Sequence, residues 1–206
     1  MPSPPFITFE GLDNSGKTTQ MSRIVAWLRE RGTDVVATRE PGGSPQAEQL
    51  RHLLVSPSQG WHPLSALLLF SAARNEHLHA VIKPALEKGA WVLCDRFIDS
   101  TYAYQGAGEG IAKAPIDAVS QAVVGTMMPT RTFIFDMPAE HVFSRPQEKA
   151  EARYETAKDL SFFQRVREGL LARAAQDKQR CVIIDATQPI DTITQDIQTS
   201  LKDYLS

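Results

Sequence analysis

The chain has 206 residues, 42% of them hydrophobic and 22% charged, with a formal net charge of −2. That length and apolar content suit one globular α/β domain with a substantial core, so a single domain over 1–206 is expected. The near-neutral balance argues against a broad electrostatic footprint for nucleic acid or an anionic membrane, and no apolar run approaches the ~20 residues of a membrane span.

The start, MPSPPF, has neither the basic region nor the apolar core of a secretory signal, which leads us to expect a cytoplasmic protein. Phe6 to Phe9 then read as a buried strand running into a glycine-rich turn, FITFEGLDNSGKTT. Gly11, Gly16, Lys17 and Thr18 satisfy G-x-x-x-x-G-K-[ST] with a strand before and a helical pattern after, the context that motif requires. Its glycines let successive N–H groups face one concavity, so Gly11, Leu12, Asp13, Asn14, Ser15, Gly16, Lys17 and Thr18 are expected to hold the phosphates of a nucleotide. The helix start adds the positive end of its dipole, Lys17 a point charge, and Thr18 a hydroxyl placed for Mg²⁺.

The following helix carries Met21, Ile24, Val25 and Leu28 at helical spacing, with Trp27 beside them, and stops at Gly32. Val35 to Ala37 form a second strand ending at Thr38-Arg39. The turn Glu40-Pro41-Gly42-Gly43 then reads either as a shaped polar corner, open to a cis proline, or as an ordinary loop with a surface arginine. A helix is predicted over 45–56 through Ala47, Leu50, Leu53 and Leu54. Over 64–87 the spacing predicts one long helix, or a pair broken near Pro84. Leu67, Leu68, Phe70, Ala73, His77, Leu78 and Val81 mark its inner face, with Arg74 alongside; by spacing alone Phe70 is a core aromatic and His77 a hydrogen-bonded interior histidine.

Trp91 to Cys94 form a third strand ending in Asp95-Arg96, an acid and a base where an α/β sheet presents its ligand-binding ends. There Asp95 can assist magnesium and Arg96 can fork onto a phosphate; a structural ion pair is the alternative. STYAYQGAGEG brings hydroxyls, aromatics and an amide ahead of three glycines, which suits a pocket for a small polar ring or a plain glycine-rich loop. Helix 115–125, strand 131–136 and strand 180–185 complete an alternation that implies a five-stranded parallel sheet with helices on both faces. Cys94 and Cys181 lie inside apolar strands and read as buried reduced thiols, and no His/Cys cluster has metal-ligand spacing. Between the last two strands, 144–158 is rich in charge; Arg145, Lys149 and Arg153 recur every fourth residue, as a solvated helix or as a cationic lid. Helical periodicity resumes over 159–175 and 190–205.

The series EGLDNSGKTT, REPGG, LLLFSAARNEH, IKPAL, DRFIDSTYAYQG and IDATQP resembles the bacterial thymidylate kinases over nearly the whole chain. The resemblance implies a P-loop fold with a small lid over 144–158, phosphoryl transfer from ATP to dTMP, bound Mg²⁺, and a homodimer formed through helices around 64–82 and 115–125. Carried over residue by residue, it implies that Arg39 and Arg96 bind the acceptor phosphate, Asp13 reaches toward the acceptor, Phe70 stacks on thymine and Arg74 bonds its carbonyl edge. Ser100, Thr101 and Gln105 would line the nucleoside pocket, Tyr104 would disfavour a 2′-hydroxyl, Thr18 and Asp95 would serve the metal, and Ala186 to Pro189 would flank adenine. Lys17, Arg96, Arg145, Lys149 and Arg153 would supply the catalytic positive charge. The chain departs from the family pattern at Asn14 (often glycine), Phe97 (often tyrosine or histidine), Pro146, Lys149 and Ala152, and it has no arginine at 12–15. The rival readings are a kinase of another nucleoside monophosphate or of a deoxynucleoside, which would not need two arginines for an acceptor phosphate if its acceptor carries none, and a GTPase-like switch, whose N-K-x-D motif is missing.

Overall fold

The computed structural model describes residues 4–55, 60–143 and 159–205. Five strands form one parallel sheet: β1 (Phe6–Gly11), β2 (Val35–Arg39), β3 (Trp91–Asp95), β4 (Arg131–Asp136) and β5 (Cys181–Asp185), in the order β2-β3-β1-β4-β5. The helices are α1 (Lys17–Arg29), α2 (Pro45–Val55), α3 (Pro63–His77), α4 (Lys83–Glu87), α5 (Ile98–Thr101), α6 (Lys113–Val123), α7 (Leu160–Gln176) and α8 (Ile190–Leu201). Arg39 pairs with Asp95, Phe9 with Asp95 and Gly11 with Phe135, so the carboxyl ends of β2, β3, β1 and β4 lie level. With β2 and β3 on one side of β1 and β4 and β5 on the other, the winding reverses at β1, where open α/β sheets place their ligand crevice.

Alternation along β1 assigns its side chains to two layers. Ile7 and Phe9 pack with Ile24 and Leu28 of α1 and with Ile193 and Ile197 of α8. Phe6 lies on the opposite layer with Leu78, Ile82, Cys94 and Phe97. Thr8 and Glu10 continue that second set, and both are fully buried although polar. The Thr8 and Thr132 hydroxyls are 2.6 Å apart, and Arg180 donates to Thr132 Oγ1 at 2.7 Å and to Asp99 Oδ2 at 2.6 Å. A polar seam thus runs between the sheet and α5, with Asp99 paired to arginine and Glu10 hydrogen-bonded, as low-dielectric burial demands.

Several expected faces are rotated or redrawn. On α2 the inner positions are Ala47, Arg51 and Leu54, while Leu53 is 44% exposed. Arg51 turns inward because it donates to the Pro41 carbonyl at 2.5 Å, a demand that apolar periodicity cannot register. On α3 Leu68 is 51% exposed and Phe70 half-buried, so neither is a core residue. The 64–87 segment neither breaks at Pro84 nor runs as a regular helix: a π-helical stretch, Leu78–Ile82, links α3 to α4. Such widening accommodates a proline that lacks its N–H and would crowd the carbonyl one turn back. STYAYQGAGEG is helical through most of its length, α5 passing into a second π stretch, Tyr102–Gly108, and is not a plain loop. In α8, Ile193, Ile197 and Leu201 are buried and Ile190 at its start is exposed. The helix ends at Leu201 and passes into a 3₁₀ turn, Lys202–Tyr204, so the exposed Leu205 lies beyond the helix expected over 190–205; in α7 Leu160 is likewise exposed. Cys94 and Cys181 are buried free thiols.

Candidate functional site

The turn after β1 is shaped by backbone needs. Gly11 has φ 151°, and a Cβ there would lie 2.9 Å from the Phe135 carbonyl oxygen, so only glycine lets β1 and β4 close at this point. Asn14 has φ 64°, a left-handed conformation that asparagine tolerates better than most residues. Gly16, at φ 87°, is the N-cap of α1 and offers no side-chain cap, so the first N–H groups of that helix face the turn. Lys17 is buried and its ammonium donates to the Leu12 carbonyl at 2.7 Å and the Gly11 carbonyl at 3.1 Å, folding back across the loop. Thr18 Oγ1 donates to Asp95 Oδ2 at 3.0 Å, which joins the loop to the end of β3.

A cleft of about 440 Å³ opens beside the loop, with Asn14, Ser15 and Gly16 on one wall and Ala186, Thr187 and Gln188 on the other. Asp185 folds the second wall by accepting from Thr187 N at 3.0 Å, Thr187 Oγ1 at 2.5 Å and Gln188 Nε2 at 2.8 Å. Those bonds hold its carboxyl group below the usual range. Gln20 ties the two walls together, donating to the Ile190 carbonyl at 2.8 Å and accepting from Thr194 at 2.8 Å.

On the other side of β1 the expected acceptor residues converge. Arg96 has φ 69°; its guanidinium donates to the Gly11 carbonyl at 3.0 Å, pairs with Asp13, approaches Ser100 Oγ at 3.4 Å and lies 4.9 Å from the centroid of the Tyr104 ring. Arg39, at the neighbouring strand end, forks onto Glu48 at 2.9 and 3.3 Å and keeps 42% of its side chain exposed. Burial works against the Glu48 charge, yet the Gly43 N–H and Arg39 hold its carboxyl below the ordinary value. Glu40, reached through the cis Glu40–Pro41 bond, accepts from Arg74 Nε at 2.7 Å and lies 3.1 Å from His77 Nδ1. His77 is the interior, hydrogen-bonded histidine its spacing suggests, with Nε2 2.7 Å from Thr38 Oγ1. Arg74 is buried and also donates to Thr101 Oγ1 at 2.8 Å and the Phe97 carbonyl at 2.9 Å. Tyr104 and Gln105 are buried on the π stretch, and Phe70 precedes Arg74 by one helical turn on α3. Phe97 is fully buried edge-to-face on Phe6, 4.9 Å between centroids. Arg145, Lys149 and Arg153 lie outside the described residues.

Two acids escaped the sequence reasoning. Glu10 accepts from Phe97 N at 2.8 Å and Ser100 Oγ at 2.5 Å, and burial together with the charge of Asp99 pushes its carboxyl up to about 7. Asp99 is fully buried between Arg180 (2.6 Å) and Arg173 (2.9 Å); burial opposes its charge, but the two arginines keep its pKa below the usual value. Both lie inside motifs, one residue from a position with an evident role, and their only signal was an acid inside such a run.

A family model described as "Thymidylate kinase" matches residues 9–197. A thymidylate kinase of Pseudomonas fluorescens is 44% identical over 201 residues, covering 97% of this chain and 96% of that protein. One of Caulobacter vibrioides is 45% identical over 190 residues, covering 92% and 91%. The crystal structure of a thymidylate kinase from Ehrlichia chaffeensis superposes with a TM-score of 0.79 at 38% identity, covering 98% of this chain and all of that one.

Proposed function

The chain belongs to the thymidylate kinase family, and on that premise we propose how its residues transfer the γ-phosphoryl group of ATP to dTMP, giving dTDP and ADP. The observation that carries the assignment is the placing of a phosphate loop on the central strand with Arg96 and Arg39 at the two strand ends beside it. ATP lies with its phosphates on the N–H groups of residues 11–18 and its adenine in the cleft against Ala186 to Pro189. Lys17 exchanges the carbonyls of Gly11 and Leu12 for phosphate oxygens, a change from dipole partners to charged ones that favours the bound state.

dTMP lies on the β3 side. Arg96 and Arg39 take its phosphate, with Asp13 and Glu48 as the carboxylates that hold the two guanidinium groups in place. Phe70 stacks on thymine, Arg74 bonds its edge, Ser100, Thr101 and Gln105 line the pocket, and Tyr104 packs against the sugar. The acceptor phosphate is already an anionic nucleophile, so positioning and charge neutralisation do the catalytic work and no general base is needed. Arg145, Lys149 and Arg153 of the 144–158 lid add positive charge at the transferring group and exclude water, a contribution worth roughly a thousandfold or more for an arginine finger.

Oxygen ligands suit Mg²⁺, and Thr18 Oγ1 and Asp95 fit it: Asp95 Oδ1 is buried and has no hydrogen-bond partner among the described residues. Thr18 and Asp95 would hold the ion, which would supply positive charge against the charge that develops on the phosphates. Among the described residues no group of three or more His, Cys, Asp or Glu is placed to hold a metal ion.

The whole chain acts as one kinase domain. We assign it to the cytoplasm, where Cys94 and Cys181 stay reduced, and to a homodimer, supported by the apolar surface of Leu53, Leu64 and Leu68 on α2 and α3, each 44% exposed or more. No described helix is long and apolar enough to cross a membrane.

Steady-state kinetics of Arg39→Ala and Arg96→Ala tests the assignment. Loss of a charge-assisted contact to phosphate predicts that KM for dTMP rises roughly ten- to a hundredfold in each, with KM for ATP little changed. Unchanged KM for dTMP in both would remove the arginine pair from the acceptor site.

A further inference from the structure

We propose that Glu10 is a positioning residue of the acceptor site: its carboxyl group, reaching up from β1, sets the aim of Arg96 and the orientation of the Ser100 hydroxyl. The inference rests on the assignment of Arg96 to the acceptor phosphate.

Arg96 occupies the left-handed region at φ 69°, a conformation that costs a non-glycine residue free energy and persists only where its surroundings hold it. Phe97 follows as the N-cap of a four-residue helix, with φ −159° and ψ −141° and no cap from its own side chain. The group that holds this kink is Glu10. One carboxyl oxygen takes the N–H of Phe97 at 2.8 Å, the peptide that leaves Arg96, and the other takes Ser100 Oγ at 2.5 Å, three residues further on. The Arg96 guanidinium in turn donates to the carbonyl of Gly11, the residue after Glu10, and reaches Ser100 Oγ at 3.4 Å.

The acid thus grips both ends of the segment that carries the arginine, while the next residue of β1 accepts from the arginine itself. It sits beneath this segment, fully buried, and touches it from the sheet side, whereas Arg74 holds the same segment from α3 through the Phe97 carbonyl and Thr101. A purely structural acid in a sheet would need only a cation partner. Glu10 faces Asp99, itself committed to Arg173 and Arg180, and places both its oxygens on the Arg96 turn instead.

Glu10→Gln is the informative variant. It keeps the acceptor for Phe97 N but presents an NH₂ to Ser100, which reverses the direction of that bond and removes the negative charge beside Arg96. Because burial already brings the neutral form of Glu10 within reach near pH 7, the amide is expected to fold. In the full-length enzyme we expect KM for dTMP to rise roughly tenfold with KM for ATP within about twofold. Binding of thymidine, which lacks the phosphate, should weaken less than binding of dTMP. Glu10→Asp keeps the charge but retracts the carboxyl group by one methylene, and should shift KM for dTMP in the same direction; it stands in if Glu10→Gln fails to fold.

Arg96→Ala is measured beside them. If it weakens dTMP while the Glu10 variants leave KM for dTMP within twofold, or raise both KM values together, Glu10 is a scaffold acid and the inference is overturned. If Arg96→Ala itself leaves dTMP unaffected, the acceptor-phosphate assignment fails first.

Discussion

Arg96 and Asn14 are the two non-glycine residues with positive φ among those described, at 69° and 64°, and both lie on the rim of the site. For Asn14 the conformation predicts a graded series. Asn14→Gly should leave stability and turnover within about twofold, whereas Asn14→Val forces a β-branched residue into the left-handed region and should cost about 1–2 kcal/mol, read as a lower Tm. A valine variant as stable as the parent would contradict the geometry. At this scale the phosphate loop was fully legible, because the motif specifies residue types at fixed offsets and the strand and helix around it agree. Glu10 was not. One acid in an apolar strand has no periodicity of its own, and whether it points to solvent or to a buried turn depends on a segment more than 80 residues away. Phe70 shows the reverse case: spacing favoured the core, and its half-buried place on α3 departs from that reading.

The element that organises the proposed acceptor side is the short segment from Phe97 to Thr101, held from three directions by Glu10, Arg74 and the Arg173/Arg180 pair on Asp99. Asp99→Asn removes the buried carboxylate that Arg173 and Arg180 share, leaving Arg180 with Asp177 alone, and breaking a buried ion pair from one side typically costs about 3–5 kcal/mol. Urea unfolding of that variant should show a loss of this order; a loss under about 1 kcal/mol would mean that the network contributes little to holding α5. Strand positions were well legible, since buried parallel strands are short apolar runs bounded by turns. Helix faces were less so. Arg51 occupies an inner position of α2 because the Pro41 carbonyl recruits it, and the π stretches at Leu78–Ile82 and Tyr102–Gly108 arise from proline and glycine placement that a 3.6-residue period does not describe.

For the molecule as a whole, the buried acids give stability a pH dependence of opposite signs. Glu10 is raised from 4.5 to about 7, so the folded state binds more protons than the unfolded one between those values. Its contribution is fully present below 4.5 and is lost as pH rises through about 7. Asp99 is lowered below its ordinary 3.8, so its contribution is present above 3.8 and lost as pH falls further. Unfolding midpoints should therefore decline from about pH 5 to about pH 8 more steeply in the parent than in Glu10→Gln, and equal slopes would count against a buried, titrating Glu10.

The apolar patch on α2 and α3 makes a second demand on the whole assembly: Leu64→Glu with Leu68→Glu should convert a dimer to a monomer in analytical ultracentrifugation, and a monomeric parent would dismiss the homodimer. The most direct test of the central claim is an ADP-release assay with ATP and Mg²⁺ against dTMP, dUMP, dCMP, UMP, dGMP and thymidine. A pocket that hydrogen-bonds the thymine edge tolerates a missing methyl better than a mismatched edge, so dTMP should lead, dUMP follow as a poorer substrate, and dCMP and dGMP be very poor. Preference for thymidine or for another monophosphate would contradict the acceptor site built on Arg39, Arg96, Phe70 and Tyr104, while leaving the phosphate-loop chemistry intact.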